Sequence, residues 1–177
     1  MLENNETVTE EVIEEPTEEQ FNIDSFVGSI IQLNNDLEQS FEKDAEITFV
    51  KMVVQRLLNF GLKLEETDNW IIMFCMNKAI NHVKNSCNIS YIPKELYEII
   101  VDRICGEFLF NKHKLNQLTL ENFDFDAAVK QLQEGDTTIQ FAIGEGSMTD
   151  EQKLTSLINY LLSYGEGDFV CYRKLKW

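Results

Sequence analysis

The sequence predicts a mainly α fold: a small helical bundle built on an α-hairpin core, with a minor β element and extended N- and C-terminal arms. Three observations carry this. Apolar residues recur at three-and-four spacing through most of the chain, the mark of helices that bury one face. Two long segments of this kind, 67–86 and 93–112, are joined by a short link, which favours an antiparallel pair. A single stretch, residues 137–143 (Thr-Thr-Ile-Gln-Phe-Ala-Ile), alternates like a strand and is closed by Gly144-Glu145-Gly146.

The chain has 177 residues, 44% of them hydrophobic, enough for one domain with a real core. Its formal charge of −16 is unevenly placed. Residues 1–44 hold 13 acidic side chains against Lys43 alone, and the remainder carries only −4. The natural division is therefore an acidic arm with a short amphipathic helix (1–44) followed by a nearly balanced helical domain with a C-terminal tail (45–177). Acidity of this size argues against wrapping duplex DNA through its phosphates.

Taken in order, residues 1–20 carry eight glutamates and no basic residue, a composition that cannot bury a core of its own. Phe21, Ile23, Phe26, Val27, Ile30 and Ile31 then describe a short amphipathic helix starting near Asp24 or Ser25, which either joins the domain or docks on a neighbouring copy. Ile47, Val50, Val53, Val54, Leu57 and Leu58 give a second helix over 45–60, closed by Gly61 just past its end. Thr67-Asp68-Asn69 supplies N-cap chemistry for the next helix, whose buried face reads Ile72, Met76, Ala79, Ile80, Val83 and Cys87. After the turn at Asn88–Tyr91, Pro93 and Glu95 suit the first turn of the spine helix. Its face is Leu96, Ile99, Ile100, Ile104, Phe108 and Leu109. Gly106 costs this helix roughly 1 kcal/mol relative to alanine, so close approach of another backbone is the expected reason for it.

Residues 118–133 read as a loop and a short helix, with Gly135-Asp136 as punctuation. Thr149-Asp150-Glu151-Gln152 is a capping box opening a helix with Leu154, Leu157, Ile158, Leu161 and Leu162 on one face, closed by Gly165. The chain ends with Phe169, Tyr172, Leu175 and Trp177 interleaved with Arg173, Lys174 and Lys176. Termini are commonly polar and frayed. Aromatic and arginine residues anchor interfaces, so this tail should be held against its own domain or another chain.

Catalytic patterns are absent from this sequence. His82 and His113 lie on different elements without cysteines at metal spacing, and read as surface side chains. Gly144-Glu145-Gly146-Ser147 lacks the lysine or third glycine of a phosphate loop. Cys75, Cys87, Cys105 and Cys171 form no C-x-x-C pair; three of them lie within helical apolar patterns, which favours buried thiols over disulfides and an intracellular origin. The acidic pairs Asp124/Asp126 and Glu134/Asp136 fit a solvated loop better than a cation site. Three cations beside Tyr172 and Trp177 are few for stacking on single-stranded nucleic acid. With no secretory pattern at the N-terminus and no apolar run of about 20 residues, the expectation is a cytosolic, non-catalytic chain without metal or cofactor.

Several segments occur together in a telling order: Tyr91-Ile-Pro-Lys-Glu-Leu, Gly106-Glu-Phe-Leu, Phe123-Asp-Phe-Asp, Val129-Lys, Glu134-Gly-Asp-Thr, and Tyr172-Arg-Lys-Leu-Lys-Trp177. Over residues 67–177 this series resembles head–tail connector (adaptor) proteins of long-tailed phages and related prophages or phage-tail-like particles, particularly from low-GC Gram-positive hosts. The resemblance implies a virion protein, assembled in the bacterial cytoplasm as a homo-oligomeric ring, commonly of twelve subunits. Such a ring sits beneath the portal, passes DNA through its bore without sequence-specific binding, and meets a stopper, neck or tail-completion protein on its other side. It makes Tyr172, Arg173, Lys174, Leu175, Lys176 and Trp177 the expected portal-binding residues. Phe21, Phe26, Ile30, Glu134, Asp136 and Phe141 are the expected subunit contacts. The acidic arm has no counterpart in the short members of that family. A separate possibility is a small acidic inhibitor whose arm mimics nucleic-acid charge.

Overall fold

The computed structural model describes residues 21–34, 36–118, 123 and 149–175. Within them the architecture is helical, and no strand is found. The expected strand at 137–143, the loop and short helix after 118 (apart from Phe123), and Glu134, Asp136, Phe141, Lys176 and Trp177 all lie outside the described residues.

The bundle is organised round an antiparallel pair. Helix α3 (Asp68–Cys87) and helix α4 (Tyr97–Lys114) follow α1 (Ile23–Leu33) and α2 (Ala45–Asn59) in the chain. Their antiparallel register is marked by Lys112 against Asp68, Asn111 Nδ2 on Cys75 Sγ at 3.5 Å, and Lys78 Nζ on Glu107 Oε2 at 2.7 Å. Pro93 is extended (φ −65°, ψ 149°) and leads into a 3₁₀ turn, Lys94–Leu96, before α4 begins at Tyr97. The regular spine thus starts four residues later than expected.

Helix α4 is buried on nearly all sides between Ile99 and Leu109, polar positions included. Ile100, Ile104, Cys105 and Leu109 are fully enclosed, each Ile or Leu worth roughly 1.5–3 kcal/mol relative to exposure. Its two buried carboxylates are both paired, as burial demands. Asp102 takes Arg56 of α2 at 2.9 Å and Glu107 takes Lys78 of α3. Burial pushes the Asp102 carboxyl above its ordinary value, against the pull of Arg56.

Around this axis α2 lies alongside α4, with Phe41 and Phe49 packed edge-on to Tyr97. Helix α1 lies across α2 and α3. Asn22 caps its start by accepting from the Ser25 amide at 3.1 Å, and at its end Asn34 Nδ2 donates to Asn77 of α3 at 2.8 Å. Phe26, Val27 and Ile30 of α1 join the same core as Leu57 and Ile100. The boundary drawn at residue 44 therefore has to move: charge divides there, but packing does not, and α1 belongs to the bundle.

Helix α5 (Asp150–Ser163) closes the bundle against α4. Its capping box forms as expected, with Thr149 Oγ1 and Gln152 Oε1 each accepting the other's backbone amide. At Gly106 it is leucine side chains of α5, rather than backbone atoms, that come close: a Cβ there would sit 2.9 Å from Leu161 Cβ and 3.2 Å from Leu162. Gly61 and Gly165 end their helices with positive φ (80° and 69°), and Gly61 donates back to Leu58 at 2.9 Å. Thr67 does not act as the expected side-chain cap of α3. Its neighbour Asp68, 1% exposed, accepts the Glu65 amide at 3.1 Å instead and faces the Lys112 ammonium as an ion pair.

Candidate partner-binding surface

Beyond Gly165 the chain turns through a 3₁₀ turn, Glu166–Asp168, into a one-turn helix α6, Phe169–Tyr172. The turn is tied to α4 by Arg103, whose Nη2 donates to Glu166 Oε1 at 2.8 Å. Phe169 is buried, its ring 6.3 Å from the His82 imidazole and its carbonyl accepting from Cys87 Sγ at 3.5 Å. Burial lowers the His82 pKa, and the neighbouring Arg103 charge lowers it further against the opposite pull of Glu166.

The residues that follow are latched to the end of α3. Arg173 Nε donates to the Ser86 carbonyl at 3.1 Å, Lys174 N to the Cys87 carbonyl at 2.8 Å, and Asn88 Nδ2 to the Lys174 carbonyl at 3.0 Å. The physical cause is plain. The last turn of a helix leaves carbonyls without intrahelical donors and carries partial negative charge. The tail supplies both the donors and the cations. Lys174 Nζ also sits 5.5 Å above the Tyr91 ring.

This latch leaves a definite surface at the end of the bundle. Tyr91, Val170 and Leu175 are exposed at 47%, 65% and 73%, beside the Arg173 and Lys174 side chains. Among the described residues neither Arg173 nor Lys174 has a carboxylate partner. Of the tail residues singled out from the sequence, Tyr172 packs partly against the core, Arg173 and Lys174 form the latch, and Leu175 projects outward.

The expected subunit contacts fare differently. Phe26 and Ile30 are spent inside the chain, at 5% and 0% exposure, so they are not available to a neighbour; an amphipathic helix shows that a face is buried, but not against which chain. Phe21 remains at the surface, its ring 5.0 Å from that of Phe26.

A second surface escaped the sequence reading. Trp70 and Phe74, one turn apart on α3, are exposed at 60% and 62%. Leu115, just past the end of α4, is 59% exposed at the same end of the hairpin. The signal was present: Trp70 and Phe74 fall off the Ile72–Met76–Ala79–Val83 stripe that defines the buried face. These aromatics and the tail latch mark opposite ends of α3, about 25 Å apart at 1.5 Å per residue.

Nothing among the described residues gathers three metal-binding side chains, and no helix there is long and apolar enough to cross a membrane. A shallow opening between Gly61–Asp68 and Phe108–Leu118 is lined by the already paired Asp68 and Lys112. Comparison with protein-family models, with curated proteins and with solved structures found no match for this chain.

Proposed function

We propose that this protein is a structural head–tail connector, a non-catalytic ring subunit that joins a capsid portal to the neck or tail of a phage-like particle. The observation that supports it most is the placement of two chemically different surfaces at opposite ends of one rigid helix. The basic and apolar tail end suits a portal. The aromatic end at Trp70 and Phe74 suits a neighbouring subunit. In a ring made by head-to-tail contacts that aromatic patch meets an unlike patch on the next subunit, and the closing rotation sets the copy number; twelve is the number the connector resemblance implies. A chain whose net charge is negative also suits a bore through which DNA slides without being gripped.

On this reading residues 172–177 contact the portal, and a stopper or tail-completion protein docks on the far side of the ring. The particle is where the protein works. The direct test is a pull-down with the portal protein of the same particle, comparing the full chain with a variant truncated after Cys171. Retained binding by the truncated chain contradicts the assignment. Because the latch sits on α3, circular dichroism and urea unfolding of the same variant separate a lost contact from a lost fold.

A further inference from the structure

The acidic arm and the tail latch belong to the same end of the bundle. Asp24, at the root of the arm, pairs with Lys51 of α2 at 2.7 Å. Two residues earlier on α2, Phe49 packs on Tyr97 at the start of α4. The residues leading into α4 reach the same place, for the Ile92 amide donates to the Ser40 carbonyl at 2.7 Å. Ser40 Oγ in turn receives Lys84 Nζ from the last turn of α3 at 3.3 Å, and three residues on, Cys87 holds the tail. Residue 21 therefore leaves the fold at the end that carries Tyr91, Val170, Leu175, Lys84, Arg173 and Lys174.

Twenty residues precede that point, and they can reach at most roughly 70 Å when extended, far more than the latch requires. In the middle of this arm stands an apolar pair, Val12-Ile13, framed by Glu10-Glu11 before it and Glu14-Glu15 after it. The latch offers the complement: three exposed apolar side chains beside Arg173 and Lys174, which have no carboxylate partner among the described residues. Nearby Lys94 already has Glu42, at 3.4 Å, and contributes little to an incoming anion. A tethered segment also meets this surface at millimolar effective concentration, which makes even a weak contact well populated.

We propose that residues 10–15 of the arm dock in cis on the latch surface, with Val12 and Ile13 against Tyr91, Val170 and Leu175 and the flanking glutamates on Arg173 and Lys174. This deepens the reading of the tail as a partner-binding surface, but the contact itself does not need the portal. It is measured in the isolated chain, so its failure is distinguishable from failure of portal binding.

Cys171 is the one exposed thiol of the four and lies within the latch, so it takes a nitroxide label selectively. In the labelled, 15N-enriched full chain at about 20 mM salt, amide signals of residues 8–15 should lose at least about half their intensity relative to the reduced label, and recover at about 0.5 M salt, where charges are screened within a few ångströms. Replacing Glu10, Glu11, Glu14 and Glu15 by Gln should restore the signals without touching the folded bundle. Undiminished arm signals at low salt overturn the proposal. Broadening that appears when labelled 14N chain is mixed with unlabelled 15N chain overturns the cis assignment in favour of a second copy. As a label-free check, deleting residues 1–20 should shift the amides of residues 91 and 170–175. No shift there overturns the contact.

Discussion

Glycine at position 106 gives the sharpest test of the packing. Substituting alanine adds one methyl group, which would meet Leu161 Cβ at 2.9 Å and the Leu162 side chain at 3.2 Å. Leu161 Cβ is fixed to its backbone and cannot swing away, so relief requires α5 to move off α4. Overpacking of this kind costs about 1–3 kcal/mol, against a gain of about 1 kcal/mol from replacing a mid-helix glycine. The expected net is a loss of about 1 kcal/mol, or a fall of roughly 2–4 °C in Tm for a chain of this size. Gly28 in α1 provides the control, because nothing lies within 4 Å of a Cβ built there. Gly28→Ala should therefore stabilise by about 0.5–1 kcal/mol from helix propensity alone. Urea unfolding followed by circular dichroism, with the m-value checked for constancy, reads both variants. The same chemical change should have opposite signs in two helices of one protein. If Gly106→Ala proved as stabilising as Gly28→Ala, the close contact of α4 with α5 would be refuted.

Other perturbations follow from the same structure. Lys112→Met strands the buried Asp68 carboxylate, and by analogy with other broken buried pairs should cost about 3 kcal/mol in urea unfolding; adding Asp68→Asn should recover part of that loss. His82 binds its proton less readily folded than unfolded, chiefly through burial and then Arg103. Its contribution is thus fully present above the unfolded value of 6.5 and is lost as pH falls below it towards the lowered folded value. His82→Gln should flatten the decline in urea midpoint between about pH 7.5 and 5.5. Of the four thiols, Cys171 alone should react quickly with a thiol reagent in native buffer. Burial raises Cys75 to about 12 and raises Cys87 and Cys105 too, so these should react only on unfolding.

Much of this arrangement was legible in the residues. The α3–α4 hairpin, the capping box at Thr149 and the close approach at Gly106 follow from local rules, because caps, periodicity and glycine costs act within a turn or two. What local rules do not reveal is which partner a face meets. Phe26 and Ile30 announced a buried face, yet only the packed bundle assigns it to α2 and α3 rather than to a second chain. The charge boundary at residue 44 misled for the same reason, since formal charge follows solvent while domain limits follow the core. Thr67 looked like a cap, but the Glu65 amide and Lys112 draw the neighbouring Asp68 inward and make it the residue that organises the start of α3. The aromatic and arginine residues of the tail predict that it is held against something. That it is held by the free carbonyls at the end of α3 depends on residues 86–88 and 173–174 meeting across the fold, which no local pattern encodes. Trp70 and Phe74 were legible in principle, as aromatics lying off the buried stripe.

The central claim, that the protein is a connector, meets its most direct test in negative-stain images of the full chain mixed with the portal of the same particle. The account predicts a closed ring of copies stacked on the portal, lost when residues 172–177 are removed although the truncated chain still folds. A folded chain that neither binds the portal nor forms a ring in its presence would contradict it.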